Sequence, residues 1–154
     1  MENLNIESDG QGKYVEVEAH STQENLPSGL VLLVDDEKDI CECLGHILNA
    51  TGHTEITFTN PIEALEYYTK HYIKVALVIL DMVMPKMNGS DVFLAMKFIN
   101  PAIQAVMISG LCSEEVVAEC LAKGAAEFVH KPFSASRIIG VVDKYVLSSP
   151  ADLR

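Results

Sequence analysis

Leu30-Val31-Leu32-Leu33-Val34-Asp35-Asp36-Glu37 sets an unbroken apolar run directly before three acids. A strand that shows no polar alternation has to be covered on both faces, because neither side of its pleat can meet water. Helices flanking a parallel sheet supply that cover, so this stretch points to an α/β fold. The arrangement recurs at Val75-Ala76-Leu77-Val78-Ile79-Leu80, an apolar run that stops at Asp81.

Working outward from these two runs, the other strand candidates are Glu55–Thr59, Gln104–Ile108 and Glu127–Val129. The stretches between them are amphipathic. Lys38 to Ala50 places Ile40, Leu44, Ile47 and Leu48 on one stripe, which is helical spacing. Asn60 before Pro61 is a helix start, since Asn caps and Pro fits the first turn. Ser113 followed by Glu114 and Glu115 is another, with acids favoured at the positive end of the helix dipole. Lys123-Gly124 closes that helix through a left-handed glycine. A last helix is predicted from Ser134 to Leu147, burying Ile138, Ile139, Val142 and Val146. Strands alternating with helices build right-handed βαβ units, so the predicted architecture is (βα)5 around a parallel five-stranded sheet. Ligands of such sheets bind beyond the carboxyl ends of the strands.

The chain has 154 residues, 49% of them hydrophobic and 21% charged, with a net charge of −11. That profile suits one globular domain and opposes a nucleic-acid partner, whose phosphates would be repelled. No apolar run is long enough to span a bilayer, and the amino terminus lacks the basic and apolar regions of a signal peptide. A cytoplasmic location without membrane insertion is expected. Residues 1–28 hold Glu2, Glu7, Asp9, Glu16, Glu18 and Glu24 against Lys13 and read as an acidic, flexible tail or linker. Within it Tyr14, Val15 and Val17 suggest a short extended piece. The domain itself is placed at residues 29–148, with a carboxyl-terminal tail at 149–154. Cys41, Cys43, Cys112 and Cys120 form no CxxC pair, which argues against zinc and for reduced apolar fillers.

The strand ends carry the chemistry: Asp35, Asp36 and Glu37 after the first, Asp81 after the third, Ser109 after the fourth and Lys131 after the fifth. Carboxylates a few ångströms apart repel by about 4 kcal/mol per pair at an effective dielectric near 20. A divalent cation relieves that repulsion, and an all-oxygen donor set favours magnesium, with manganese as a substitute. Beside such a metal a carboxylate can attack phosphorus in line, while a lysine and a hydroxyl hold the phosphoryl oxygens. Read singly, each residue has a plainer explanation. Glu37 is a first-turn acid, Lys131 a solvated lysine, Ser109 a loop cap, and Phe128 a core aromatic. His46, His53, His71 and His130 read as surface or packing residues, and Met82, Met84 and Met87 as filling around the loop.

Four motifs together, Val31 to Glu37, Leu80-Asp81-Met82-Val83-Met84-Pro85-Lys86-Met87-Asn88-Gly89, Ile108-Ser109-Gly110 and Lys131-Pro132-Phe133, resemble the bacterial response-regulator receiver family. The resemblance covers Leu30 to Leu147. It implies a doubly wound, flavodoxin-like sheet with strand order 2-1-3-4-5, and it makes Asp81 the phospho-acceptor. It implies Asp36 and Asp81 as direct metal ligands, Asp35 as a ligand acting through water, and the Val83 backbone carbonyl as a further one. Ser109 matches the switch hydroxyl, Lys131 the phosphoryl-contacting lysine and Phe128 the aromatic switch, with a cis bond at Lys131-Pro132. Serine and phenylalanine stand where threonine and tyrosine are commoner, and apolar Val83 and Leu111 would position an attacking water poorly.

No glycine-rich nucleotide loop is present, so the expected phosphoryl donor is a phosphohistidine on a sensor histidine kinase or a histidine phosphotransfer protein. The output would be an unknown protein target, and a homodimer through the last two helices is a further expectation. The chain is not expected to be a turnover enzyme. An aspartyl phosphatase would want an acid where Val83 stands. Two other readings are a phosphorylation-independent interaction module and the receiver portion of a longer hybrid kinase.

Overall fold

The computed structural model describes residues 29–146 and, nearer the amino terminus, the strands β1 (Asn5–Ser8) and β2 (Tyr14–Val17). β1 and β2 pair antiparallel, with Asn5 opposite Val17 and Ser8 opposite Tyr14. The extended piece expected at Tyr14 to Val17 is thus one arm of a hairpin, whose other arm carries no comparable apolar signal. The rest of residues 1–28, and residues 147–154 with the predicted end of the last helix, lie outside the described residues.

β3 (Leu30–Val34) has all five residues buried, as its apolar run demands. It is followed by α1 (Lys38–Ala50), β4 (Glu55–Phe58), α2 (Pro61–His71) and β5 (Val75–Asp81). Then come α3 (Gly89–Ile99), β6 (Ala105–Ser109), α4 (Glu114–Ala122), β7 (Glu127–His130) and α5 (Ala135–Val146). The five strands β3 to β7 form a parallel sheet in the order β4-β3-β5-β6-β7. Counted within the sheet this is 2-1-3-4-5, the expected doubly wound order. It matters for function because the direction of winding changes between β3 and β5, and a crevice opens there at the carboxyl edge.

Two apolar layers hold the helices on. Ala64, Tyr68, Val92, Phe93, Met96 and Cys120 bring α2, α3 and α4 onto one face of the sheet. Leu44, Leu48, Ile138, Val141 and Val142 bring α1 and α5 onto the other. The helix starts follow from the predicted caps: the Ile62 amide donates to the Asn60 side chain at 3.0 Å and the Val116 amide to Ser113 at 3.4 Å. Gly124 ends α4 at a φ of 104°, which only glycine adopts without strain.

Details at the ends of elements differ from the sequence reading. Asp81 and Ser109 are the last residues of their strands rather than the first beyond them. In α5 Val141 is buried and Ile139 only half-buried, because the helix rotates its stripe to meet α1 as well as the sheet. In α1 Cys41 is buried while Ile40 and Ile47 lie at the margin.

Candidate functional site

Among the described residues the buried charged or hydroxyl-bearing side chains, Tyr68 apart, are Asp35, Asp81 and Ser109, at 3%, 5% and 1% exposure. All three stand at the carboxyl edge of the sheet, on β5, β6 and just after β3. Burying such groups is costly unless they are paired or used. Asp36, Glu37, Asp81, Val83, Ser109, Gly110, Leu111 and Lys131 line one open cavity of about 370 Å³. The sequence-derived set therefore converges, with Asp35 lying behind its rim.

Carboxylate oxygens of Asp35, Asp36 and Asp81 lie within 4.8 Å of one another. One cation faces them: the Lys131 ammonium is 2.9 Å from Asp35, 3.3 Å from Glu37 and 3.5 Å from Asp81. A single positive charge against four neighbouring acids leaves negative charge in excess. Burial first, and then the Asp35 charge, push the Asp81 carboxyl up from 3.8 to about 6 against the opposing pull of Lys131. Burial works against the charged form of Lys131 too, but its hydrogen bond to Asp35 and the charges of Asp35 and Asp81 hold its pKa above the ordinary lysine value.

The donor set fits a hard divalent ion, since it consists of three carboxylates of which Asp36 remains exposed and accessible from solvent. Local backbone positions these oxygens. The Glu37 amide donates to Asp35 Oδ1 at 2.9 Å and the Val83 amide to Asp81 Oδ1 at 3.4 Å. α3 begins hard against Asp81: a Cβ on Gly89 would come within 2.2 Å of the Asp81 carbonyl oxygen, so glycine at this position is dictated by close approach. The Asn88 side chain caps that helix by accepting from the Asp91 amide at 2.9 Å. The Lys131-Pro132 peptide is cis, as the resemblance implied.

Two residues do more than their sequence reading gave them. Glu37, read as a first-turn acid, stands at the cap of α1 and accepts from Lys131. Cys41, read as filler, donates its thiol to the Asp35 carbonyl oxygen at 3.2 Å, and burial followed by the Asp35 charge pushes that thiol up to about 12. Phe128 does not line the cavity. It is buried in the layer under α2, α3 and α4, with its ring 5.2 Å from that of His130.

The family model for the response regulator receiver domain matches residues 31–143. The chain belongs to the response regulator receiver family. This receiver is 33% identical to the chemotaxis protein CheY of Thermotoga maritima over 74% of its own length and 94% of that protein's. Its fold resembles a solved complex of CheX and CheY with beryllofluoride and magnesium from Borrelia burgdorferi, at 32% identity and a TM-score of 0.72, covering 79% of this chain and 90% of that one. It also resembles a beryllofluoride-activated NtrC4 receiver domain dimer, at 29% identity and a TM-score of 0.72, covering 77% of this chain and 96% of that one. The receiver is thus a module of two-component phosphorelay signalling, in which a phosphoryl group is accepted on an aspartate. No helix among its described residues is long and apolar enough to cross a membrane.

Proposed function

We propose that Asp81 is the aspartate that accepts the phosphoryl group, from a phosphohistidine on a sensor kinase or a histidine phosphotransfer protein. The observation that carries this is the placement of the Asp81 carboxylate, buried at the switch point of the sheet between a second acid and a lysine. An Asp81 oxygen attacks phosphorus in line, the bond to the donor imidazole breaks, and an acyl phosphate forms on the side chain. Asp35, Asp36, Asp81 and the Val83 carbonyl would hold Mg2+, or Mn2+ in its place, and that ion offsets charge on the phosphoryl oxygens.

The chain's own residues do the rest. Lys131 leaves part of its contact with Asp35 and Glu37 to meet a phosphoryl oxygen, and Ser109 donates its hydroxyl to another. Those movements pull on β6 and β7, and Phe128, between Glu127 and the site, shifts with them. The surface of α4, β7 and α5 then binds a downstream protein or a second copy of the receiver; the beryllofluoride-activated NtrC4 receiver is itself a dimer. Val83 and Leu111, 66% and 92% exposed at the cavity mouth, cover the acyl phosphate with apolar atoms and slow its hydrolysis. Each phosphorylation consumes one Asp81, so the chemistry is self-modification rather than turnover, and it takes place in the cytoplasm.

The test is phosphoryl uptake from acetyl phosphate with magnesium, read by intact mass. The native chain should gain one phosphoryl group and Asp81→Asn none. Uptake by the Asn variant at the native rate would refute the assignment.

A further inference from the structure

The amino edge of the sheet, opposite the site, carries a basic and apolar surface. Lys70 and His71 end α2, Ile73 and Lys74 form the turn that follows, and Lys97 and Phe98 lie at the end of α3. The Asn100 side chain hydrogen-bonds the Tyr68 hydroxyl, which holds these two helix ends side by side. Ile73 is 75% exposed and Phe98 91%. Lys70 and Lys74, like Lys86 and Lys97, take part in no ion pair among the described residues, whereas Lys38, Lys123, Lys131, Arg137 and Lys144 do. In a chain with twice as many acids as bases, 22 against 11, this edge sets two lysines that lack a carboxylate partner among the described residues beside two bare apolar side chains.

The polypeptide enters the domain at this same place. Leu30 pairs across the sheet with Val75, the residue after Lys74. Gly29 before it has a φ of 85°, a left-handed conformation that redirects the chain. The preceding stretch, residues 18–28, contains Glu18, Glu24 and the apolar Leu26, with no lysine or arginine. Its reach when extended is up to about 36–40 Å, ample to return over adjoining helix ends.

We propose that residues 18–28 dock on this edge, with Glu18 and Glu24 against Lys70 and Lys74 and Leu26 against Ile73 and Phe98. Exposed ion pairs are individually weak, so charge alone does not hold the segment. The apolar contact adds to it, and the covalent tether keeps the segment at an effective concentration on the order of millimolar. The occupant is the chain's own segment because it is the acidic and apolar partner already anchored beside the patch. This inference is independent of the phosphorylation site.

The full chain tests it by zero-length carbodiimide coupling of carboxylates to lysine amines, with peptide mapping of the monomeric product. Links from Glu18 or Glu24 to Lys70 and Lys74 are expected in excess of links to Lys86, which is exposed at the opposite edge and also makes no ion pair among the described residues. In Phe98→Ser, and separately in Ile73→Ser, those links should fall by roughly threefold to tenfold, since the charges and the tether are unchanged while the apolar contact is lost. Both side chains are largely exposed, so an unchanged unfolding midpoint is the control for folding. Yields that neither variant alters would mean that tethering alone brings the groups together, and would overturn the proposal. So would links confined to covalent dimers, which would make a second copy the occupant.

Discussion

Asp81 and Glu127 are both carboxylates surrounded by cations and donors, yet the two clusters behave in opposite ways. Glu127, at the start of β7, has Arg137 at 2.7 Å, the Tyr145 hydroxyl at 3.0 Å and Lys144 at 3.6 Å. Burial works against its charge, but hydrogen bonds from Arg137 and Tyr145 and the charges of Arg137 and Lys144 win, and its carboxyl sits below the ordinary glutamate value. Asp81 shares one lysine with Asp35 and Glu37, and its carboxyl sits far above the ordinary value, at about 6. The over-compensated acid ties β7 to α5. The under-compensated acid retains unsatisfied negative charge, which a divalent cation would relieve.

The largest expected effect separates the clusters by function: Asp81→Asn abolishes phosphoryl uptake, and Glu127→Gln leaves its rate unchanged. Next comes the shared cation. Lys131→Met removes the one positive charge that faces the site acids among the described residues, and should destabilise the metal-free protein at pH 7 by about 3–5 kcal/mol in urea unfolding. Added magnesium should recover much of that loss, because it binds the folded chain alone. A Lys131→Met protein as stable as the native one would mean that the acids are relieved by protonation instead.

A pH series sharpens the contrast. For Asp81 the folded value of about 6 lies above the unfolded one, so the folded state binds the proton more tightly. Its contribution to stability is therefore greatest below pH 4 and is lost as pH rises through 6, by about 2–3 kcal/mol in all. The difference between metal-free native and Asp81→Asn stability isolates it and should grow between pH 4 and 7 in favour of the variant. Glu127 has the reverse sign, with stability present above its unfolded value and lost on acidification. The smallest effect is therefore Glu127→Gln, which should lose about 1–2 kcal/mol at pH 7, with little pH dependence left from that position.

Much of the site was legible because it is written locally. Asp35, Asp36, Asp81, Ser109 and Lys131 each end an apolar run, and the (βα)5 pattern brings the ends of such runs to one edge. Glu37 was undervalued for a definite reason: its partner Lys131 is 94 positions away, and nothing near Glu37 in the sequence announces that contact. The thiol of Cys41 on the Asp35 carbonyl could not be read either, since helical spacing marks a buried cysteine without saying what its sulfur meets. His53, read as a surface or packing residue, meets Asp143 of α5 at 2.9 Å, another contact between distant segments. Gly89 lay inside a quoted motif, yet only the close approach of α3 to the Asp81 carbonyl explains it.

The sequence by itself determined the strands, the helix starts and the order in which acids, hydroxyl and lysine are dealt to the strand ends. These depend on apolar periodicity and capping, which act over a few residues. Tertiary structure alone decided that one lysine serves three acids, that Asp81 holds its proton to about pH 6, and that Leu30, where the chain enters the sheet, lies beside Val75. Coulomb energy and desolvation depend on distance and burial in space, and a linear chain records neither.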